Sequence, residues 1–124
     1  MADSVLVVAD YTLVAARDCP RLLKRVKEAG PKGEVKVVVN RVGAPGHSDI
    51  KRPDLEKALE AKVDIEIPQD QKTATESNQA GKPMVVAGSK GKASAVIRDL
   101  ALQVCGLGQV SKPRLWRRLL GKAA

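Results

Sequence analysis

The chain has 124 residues, of which 44% are hydrophobic and 29% charged, and its formal net charge at pH 7 is +8. This length fits a single domain, and no apolar run approaches the roughly 18 residues that a membrane-spanning helix requires. Only Tyr11 and Trp116 are aromatic, so the core is aliphatic and few rings are available for stacking single-stranded nucleic acid. With His47 as the single histidine, Cys19 and Cys105 predict reduced thiols rather than a zinc site.

The first part of the chain predicts two strands joined by a helix. Ser4–Ala9 is predicted to form a strand, Leu13–Ala29 a helix and Val35–Asn40 a second strand. Pro20 indicates either a kink in this helix or its true first turn. The order strand–helix–strand predicts parallel strands with a right-handed crossover. The β-branched run of the second strand is typical of a strand that is buried on both faces.

The remainder predicts shorter elements. We expect a helix, a third strand, a helix, a brief extended piece and a final helix over Asp54–Ala61, Val63–Ile67, Lys72–Gln79, Lys82–Ala87 and Ala93–Cys105. The predicted fold class is therefore α/β, a partial doubly wound sheet of about three parallel strands flanked by four or five helices. A sheet of this size leaves the first strand with an unpaired edge, which predicts dimerisation, aggregation or marginal stability.

No segment carries a recognisable catalytic or phosphate-binding pattern. The best candidate for a phosphate loop is Gly88–Ser94, but two residues separate its first glycine from the Gly-Lys pair, where a P-loop has four. Ala93 also replaces the hydroxyl residue that would hold magnesium. We interpret this segment as a loop that starts a helix. A solvated helix face is the simplest interpretation of the acids Asp49, Asp54, Glu56 and Glu60.

Polar residues follow two of the predicted parallel strands. Asn40 and Arg41 follow the second strand, and Pro68, Gln69 and Asp70 follow the third. Ligands bind at the carboxyl ends of strands in open α/β sheets. Asn40 has the donors and the acceptor needed to read an adenine edge, and Arg41 can lie on a base or pair with an acid. Ordinary loop capping is the alternative.

Three segments in order carry a resemblance to a known family. Val37–Val42 (VVVNRV), Ile67–Gln71 (IPQDQ) and Asn78–Pro83 (NQAGKP) resemble the C-terminal signatures of MinD/ParA-type P-loop ATPases, which have a deviant Walker A loop. The CpaE/TadZ proteins of Flp-pilus assembly are the most similar branch, and Ala16–Asp18 resembles an Arg-Asp pair of that group. The resemblance extends over residues 3–120.

The resemblance implies a site for ATP or ADP. Asn40 would contact adenine, Arg41 would support the pocket, and Pro68, Gln69 and Asp70 would belong to the loop that closes over the base. The family's Walker A lysines, switch aspartates and Walker B strand precede the matched part, so the phosphate and Mg²⁺ site is absent from this chain. We therefore expect a bacterial, cytoplasmic fragment or degenerate member that does not hydrolyse ATP alone.

The C-terminal end holds much of the positive charge. Five basic residues and no acid occupy the last fourteen positions, so subtracting these five from +8 leaves about +3 for the body. We divide the chain into an α/β domain over residues 1–108, a linker over 109–113 and a basic tail over 114–124. This asymmetry favours an anionic surface over nucleic acid as a partner.

The tail predicts an amphipathic helix. Its apolar face comprises Leu115, Trp116, Leu119 and Leu120. Its basic residues are Arg114, Arg117, Arg118 and Lys122, the last near the edge of the apolar face. Such a helix is typical of the membrane interface, and MinD-like proteins end with a similar helix. A helix docked on the body or on a partner and a disordered tail are the alternatives.

Three functions remain open at this stage. The first is a localisation or scaffold role of the pilus-assembly or polar-localisation type, through a homodimer or partner protein and peripheral contact with the inner membrane. The second is part of an active ATPase whose Walker A half is missing from this sequence. The third is a small basic nucleic-acid-binding or regulatory domain.

Overall fold

The computed structural model describes residues 3–106 as a parallel sheet with flanking helices. Its elements are β1 Val5–Ala9, α1 Leu13–Glu28, β2 Val35–Val42, α2 Arg52–Leu59, β3 Ile65–Pro68, α3 Gln71–Ala80, α4 Met84–Ala87 and α5 Lys92–Val104. The strand order is β1-β2-β3, and both pairings are parallel. The predicted α/β class is confirmed, whereas the predicted linker and tail lie outside the described residues.

The central strand β2 carries the core. Val37 and Val39 point to one face, where they pack in a buried cluster with residues of α1 and α2 such as Leu23 and Leu55. Val38 points to the other face, beside its partner Ile65 in β3, and both are buried. The prediction that this strand is buried on both faces is confirmed.

Helix α1 begins where β1 has just ended. The Thr12 side chain accepts a hydrogen bond from the Ala15 amide at 3.2 Å and so caps the first turn. The helix continues through Pro20 to Glu28. Pro20 is thus an interior residue, and the alternative that it marks the first turn is wrong.

Two other expectations are wrong. The apolar run within Lys82–Ala87 forms the short helix α4 rather than an extended piece, because the Pro83 carbonyl accepts hydrogen bonds from Val86 and Ala87 at 2.9 and 3.0 Å. Glu56 does not belong to a solvated face. Its carboxylate accepts bonds of 3.0 Å from the Arg52 guanidinium and from the Val63 amide, and so ties α2 to the segment before β3.

Within the described residues, no helix is long and apolar enough to cross a membrane.

The described part of the chain leaves one edge of the sheet open at β1, which pairs only with β2. The Val5 amide bonds to Glu34 of the β2 side at 3.0 Å, so the amides of Leu6 and Val8 turn outward. These two residues are 37% and 58% exposed, and β1 contains no charge that would discourage pairing.

We therefore expect the purified chain to self-associate through β1. Leu6→Glu should shift it toward the monomer, because a charge on each copy opposes strand pairing. The new carboxylate would lie beside Lys36, the register partner of Leu6 in β2, so the pairing of β1 with β2 is not opposed. Sedimentation velocity over a concentration series measures the association. Leu102→Glu, at a 45% exposed leucine of α5, is the matched control. A monomeric wild-type chain that unfolds cooperatively above about 60 °C would contradict the expectation.

Candidate functional site

A cavity of about 580 Å³ opens where β1 and β2 end. Carboxyl ends of neighbouring parallel strands form the usual ligand-binding edge of an open α/β sheet. The polar lining includes Asp10, Thr12, Asn40, Arg41 and His47. Val8 and Val14 add apolar surface and are 58% and 60% exposed. Two predicted site residues, Asn40 and Arg41, therefore lie in a real concavity.

Asp10 contacts three other polar residues of the cavity lining. One carboxylate oxygen accepts a hydrogen bond from the Thr12 hydroxyl at 2.6 Å. The other lies 3.4 Å from the Arg41 guanidinium and 3.3 Å from Nδ1 of His47. The side chain of Asp10 is 19% exposed. One carboxylate thus orients three side chains around the cavity.

Asn40 and Arg41 lie in an irregular part of β2. Pairing with β3 shifts register between Val39 and Val42. Arg41 has a φ of +55°, a left-handed conformation that few residues other than glycine adopt. The Asn40 side-chain oxygen accepts a bond from the Arg41 amide at 2.9 Å. The side-chain amide nitrogen of Asn40 therefore supplies the donors that the cavity can use.

Tyr11 is a buried core residue whose backbone anchors the loop that carries His47. Its hydroxyl donates to the Glu66 carboxylate, and Arg52 lies 3.6 Å from the same carboxylate. Burial, followed by the hydrogen bond and charge of Glu66, raises the pKa of Tyr11 far above its usual range. The Tyr11 carbonyl accepts a bond from the Ile50 amide at 3.2 Å. This bond holds the loop that carries His47 against the end of β1.

The second predicted loop, Pro68 to Asp70, does not line this cavity, and the carboxylate of Asp70 lies elsewhere. The Gln69 amide donates to the Val42 carbonyl at 2.9 Å, so the loop does run beside the end of β2. Asp70 instead lines a separate cavity of about 570 Å³ with residues of α3 and of the loop before α5. The structure therefore groups Asn40 with Arg41 and separates both from Asp70.

Asp70 caps two helices. Its carboxylate accepts from the Thr73 amide of α3 at 3.2 Å and from the Ala93 amide of α5 at 3.3 Å. Burial acts to raise the pKa of Asp70, but the bonds from Thr73 and Ala93 and the charge of Lys92 outweigh it, so the pKa lies below its ordinary value. The carboxylate is thus held in its charged form by backbone amides.

The glycines of the Gly88–Ser94 loop permit close packing. A Cβ at Gly91 would lie 2.3 Å from the Thr73 hydroxyl oxygen and 2.7 Å from an Asp70 oxygen, and a Cβ at Gly88 would lie 2.5 Å from the Thr73 methyl. Because the Ala93 amide already bonds to Asp70, a carboxylate stands where a phosphate loop would hold its ligand. This is a loop that starts a helix, as the sequence predicts.

The lining of the first cavity suits binding more than covalent chemistry. Burial, with the charges of Asp10 and Asp18, raises the pKa of the Cys19 thiol there, which disfavours the thiolate. Among residues 3–106, no three His, Cys, Asp or Glu side chains are grouped to hold a metal ion. Apolar valines beside a few donors and acceptors are the usual lining of a small-molecule site.

The fold is similar to that of larger proteins. A ParA family ATPase from Chlorobium tepidum TLS matches with 27% identity and a TM-score of 0.69 over 81% of this chain and 40% of that chain. MinD of Aquifex aeolicus matches with 27% identity and a TM-score of 0.67 over 85% and 44%. The MinC:MinD complex of that organism matches with 28% identity and a TM-score of 0.66 over 85% and 43%.

The chain therefore spans less than half the length of these solved chains. Its three parallel strands and flanking helices match the C-terminal part of the P-loop NTPase fold of MinD and ParA proteins. A scan against protein-family models finds no match, and a search of curated proteins finds none either. The likeness thus rests on the arrangement of the described residues.

Loss of the Asp70 carboxylate, which caps both α3 and α5, should destabilise the fold. We expect Asp70→Ala to lower the midpoint of thermal unfolding by roughly 4–8 °C at pH 7. Because the folded-state pKa of Asp70 is lowered, its contribution is present above the unfolded pKa of about 3.9 and fades as the pH falls below that value. The unfolding midpoints of the wild type and of Asp70→Ala, measured by circular dichroism, should therefore converge as the pH falls. Asp99→Ala, at an exposed aspartate of α5, should change little, and an equal loss there would contradict the assignment.

Proposed function

We propose that this chain, which has the fold of the C-terminal part of MinD/ParA-type P-loop NTPases, forms the base-binding side of a site for ATP or ADP. One observation carries the proposal. The cavity at the ends of β1 and β2 presents Asn40 and Arg41 beside apolar Val8 and Val14. An amide can pair with the polar edge of adenine, and apolar side chains suit the faces of a purine ring.

The phosphate side of such a site is not built from the described residues. The glycine-rich segment before α5 packs against Thr73 and Asp70, and an amide at the start of α5 bonds to that aspartate. Affinity should then come from the nucleoside rather than from phosphates or Mg²⁺. In this proposal the chain does not hydrolyse ATP alone. The alternative is that the chain is part of an active ATPase whose Walker A half is missing from this sequence.

For the biological role, we favour localisation or scaffolding in a bacterial cell. The sequence signatures suggest the CpaE/TadZ branch with a deviant Walker A loop, and hence pilus assembly or polar localisation. A solved relative of this fold is a complex of MinC with MinD, which supports a protein partner or a homodimer here. A nucleic-acid-binding role is less favoured, because five of the basic charges lie in the last fourteen residues.

We further propose that the tail, residues 114–124, attaches the protein to an anionic membrane surface at the cytoplasmic face. Its leucines and Trp116 would enter the interface, and each nearby basic residue contributes about 1 kcal/mol. The predicted helix would have only about two turns and would bind weakly, so a dimer with two tails would bind more firmly. The linker over 109–113 would leave the α/β domain free to contact partners.

The nucleotide proposal predicts an affinity that does not depend on the number of phosphates. Isothermal titration should give similar dissociation constants for adenosine, ADP and ATP, with and without Mg²⁺. Asn40→Ala should weaken adenosine binding about fivefold to tenfold, since hydrogen bonds of this kind contribute about 1 kcal/mol. Asn78→Ala, at an exposed asparagine of α3, should bind as the wild type does.

Two results would count against this proposal. Binding of ATP that requires Mg²⁺ and is absent for adenosine would mean that a phosphate site exists and that the base is not the main determinant. Equal losses in Asn40→Ala and Asn78→Ala would mean that the cavity at the end of β2 is not the site.

The membrane proposal predicts that the chain pellets with vesicles containing phosphatidylglycerol but not with pure phosphatidylcholine vesicles. Deletion of residues 112–124 should leave it in the supernatant. Arg117→Gln with Arg118→Gln should weaken binding at low salt, because the attraction is electrostatic. Equal pelleting of the full and truncated chains would sink the idea.

A further inference from the structure

We infer that His47, oriented by Asp10, is the ring against which the base of a bound nucleoside packs. The inference rests on the proposed function and adds to it two residues that the sequence does not mark as site residues. It also names the ligand class, a purine nucleoside held by its ring as well as by its polar edge.

His47 is the one ring among the described residues that line the cavity. Tyr11 is buried and its hydroxyl is engaged by Glu66, so it presents no free face to a ligand. The side chain of His47 is 37% exposed, which leaves imidazole surface accessible. A planar base gains by stacking on such a ring.

Asp10 and the loop that carries His47 together set the orientation of the His47 ring. The Asp10 oxygen lies 3.3 Å from Nδ1, so this ring nitrogen faces Asp10 and Nε2 is the ring nitrogen that faces away from it. The Thr12 hydroxyl donates to the other oxygen of this carboxylate, and the Arg41 guanidinium lies 3.4 Å from the oxygen that also faces His47. The backbone bond from Ile50 to Tyr11 fixes the loop on which the histidine lies. A ring held in this way loses little freedom when a ligand binds.

The apolar lining gives a second reason for a flat ligand. Val8 and Val14 line the same cavity and are 58% and 60% exposed, although valine is usually buried. Both flank the end of β1, next to Asp10. A base packed on His47 within this cavity would cover surface that the described part of the chain leaves in water.

Titration of adenosine into variants of the full chain tests the inference. His47→Ala should weaken binding at least about fivefold, as loss of a stacking ring does. His47→Phe should restore most of the affinity, because it keeps a ring and loses only the nitrogens. Ser48→Ala, in the same loop, is the matched control, and melting curves check that each variant is folded.

Asp10 is a positioning residue, and a double-mutant cycle tests its role. Asp10→Asn should weaken adenosine binding in the wild-type background and much less in the His47→Ala background, because its effect acts through the ring. A merely structural role would give the same loss in both backgrounds, and that result would overturn the assignment of Asp10.

The outcomes separate this inference from the proposed function. If the wild type binds adenosine and His47→Ala binds equally well, the nucleoside site stands and the role of His47 is wrong. If His47→Phe binds as poorly as His47→Ala, stacking is not the contribution. If the wild type binds no adenosine, both ideas are overturned.

Discussion

The parallel pairing of β2 with strands on both sides is the constraint on which the rest of this structure depends. Val37, Val38 and Val39 are buried on alternating faces, and burial of each such side chain stabilises the fold by about 1.5–3 kcal/mol, an upper range. A slip of one residue would exchange the two faces. The register is therefore fixed, and with it the position of Asp10 beside Asn40 at one edge.

The two strand-end loops use their carboxylates differently. Asp10 lies in the open cavity and holds Thr12, Arg41 and His47. Asp70 is turned toward the starts of α3 and α5, where backbone amides engage it. The loops after β1 and β3, the two strands that flank β2, therefore differ in role, because one carboxylate faces a cavity and the other faces two helix ends that need a cap.

The likeness to ParA and MinD structures concerns only part of those proteins. The matched part covers less than half of those chains, and here it carries a cavity of about 580 Å³ at the strand ends, without a phosphate loop among the described residues. The open edge of β1 lies directly beside that cavity, since Val8 contributes to both. If the chain associates at this edge and binds a ligand in the cavity, as proposed, the two events would be coupled through β1, because covering the edge would also alter one wall of the cavity.

The sequence by itself determined the fold class, the three strands and the residues at the strand ends, because apolar β-branched runs between turn formers are local signals. It also identified Asn40 and Arg41 as candidate ligand-binding residues. It did not determine the helical turn at Met84–Ala87, whose short apolar run fits either structure, nor the bonds of Glu56. Only the tertiary structure decided that Asp10 and His47 lie beside Asn40 while Asp70 does not, because those contacts join residues more than twenty positions apart in the chain, and only the packed sheet brings them within hydrogen-bonding distance.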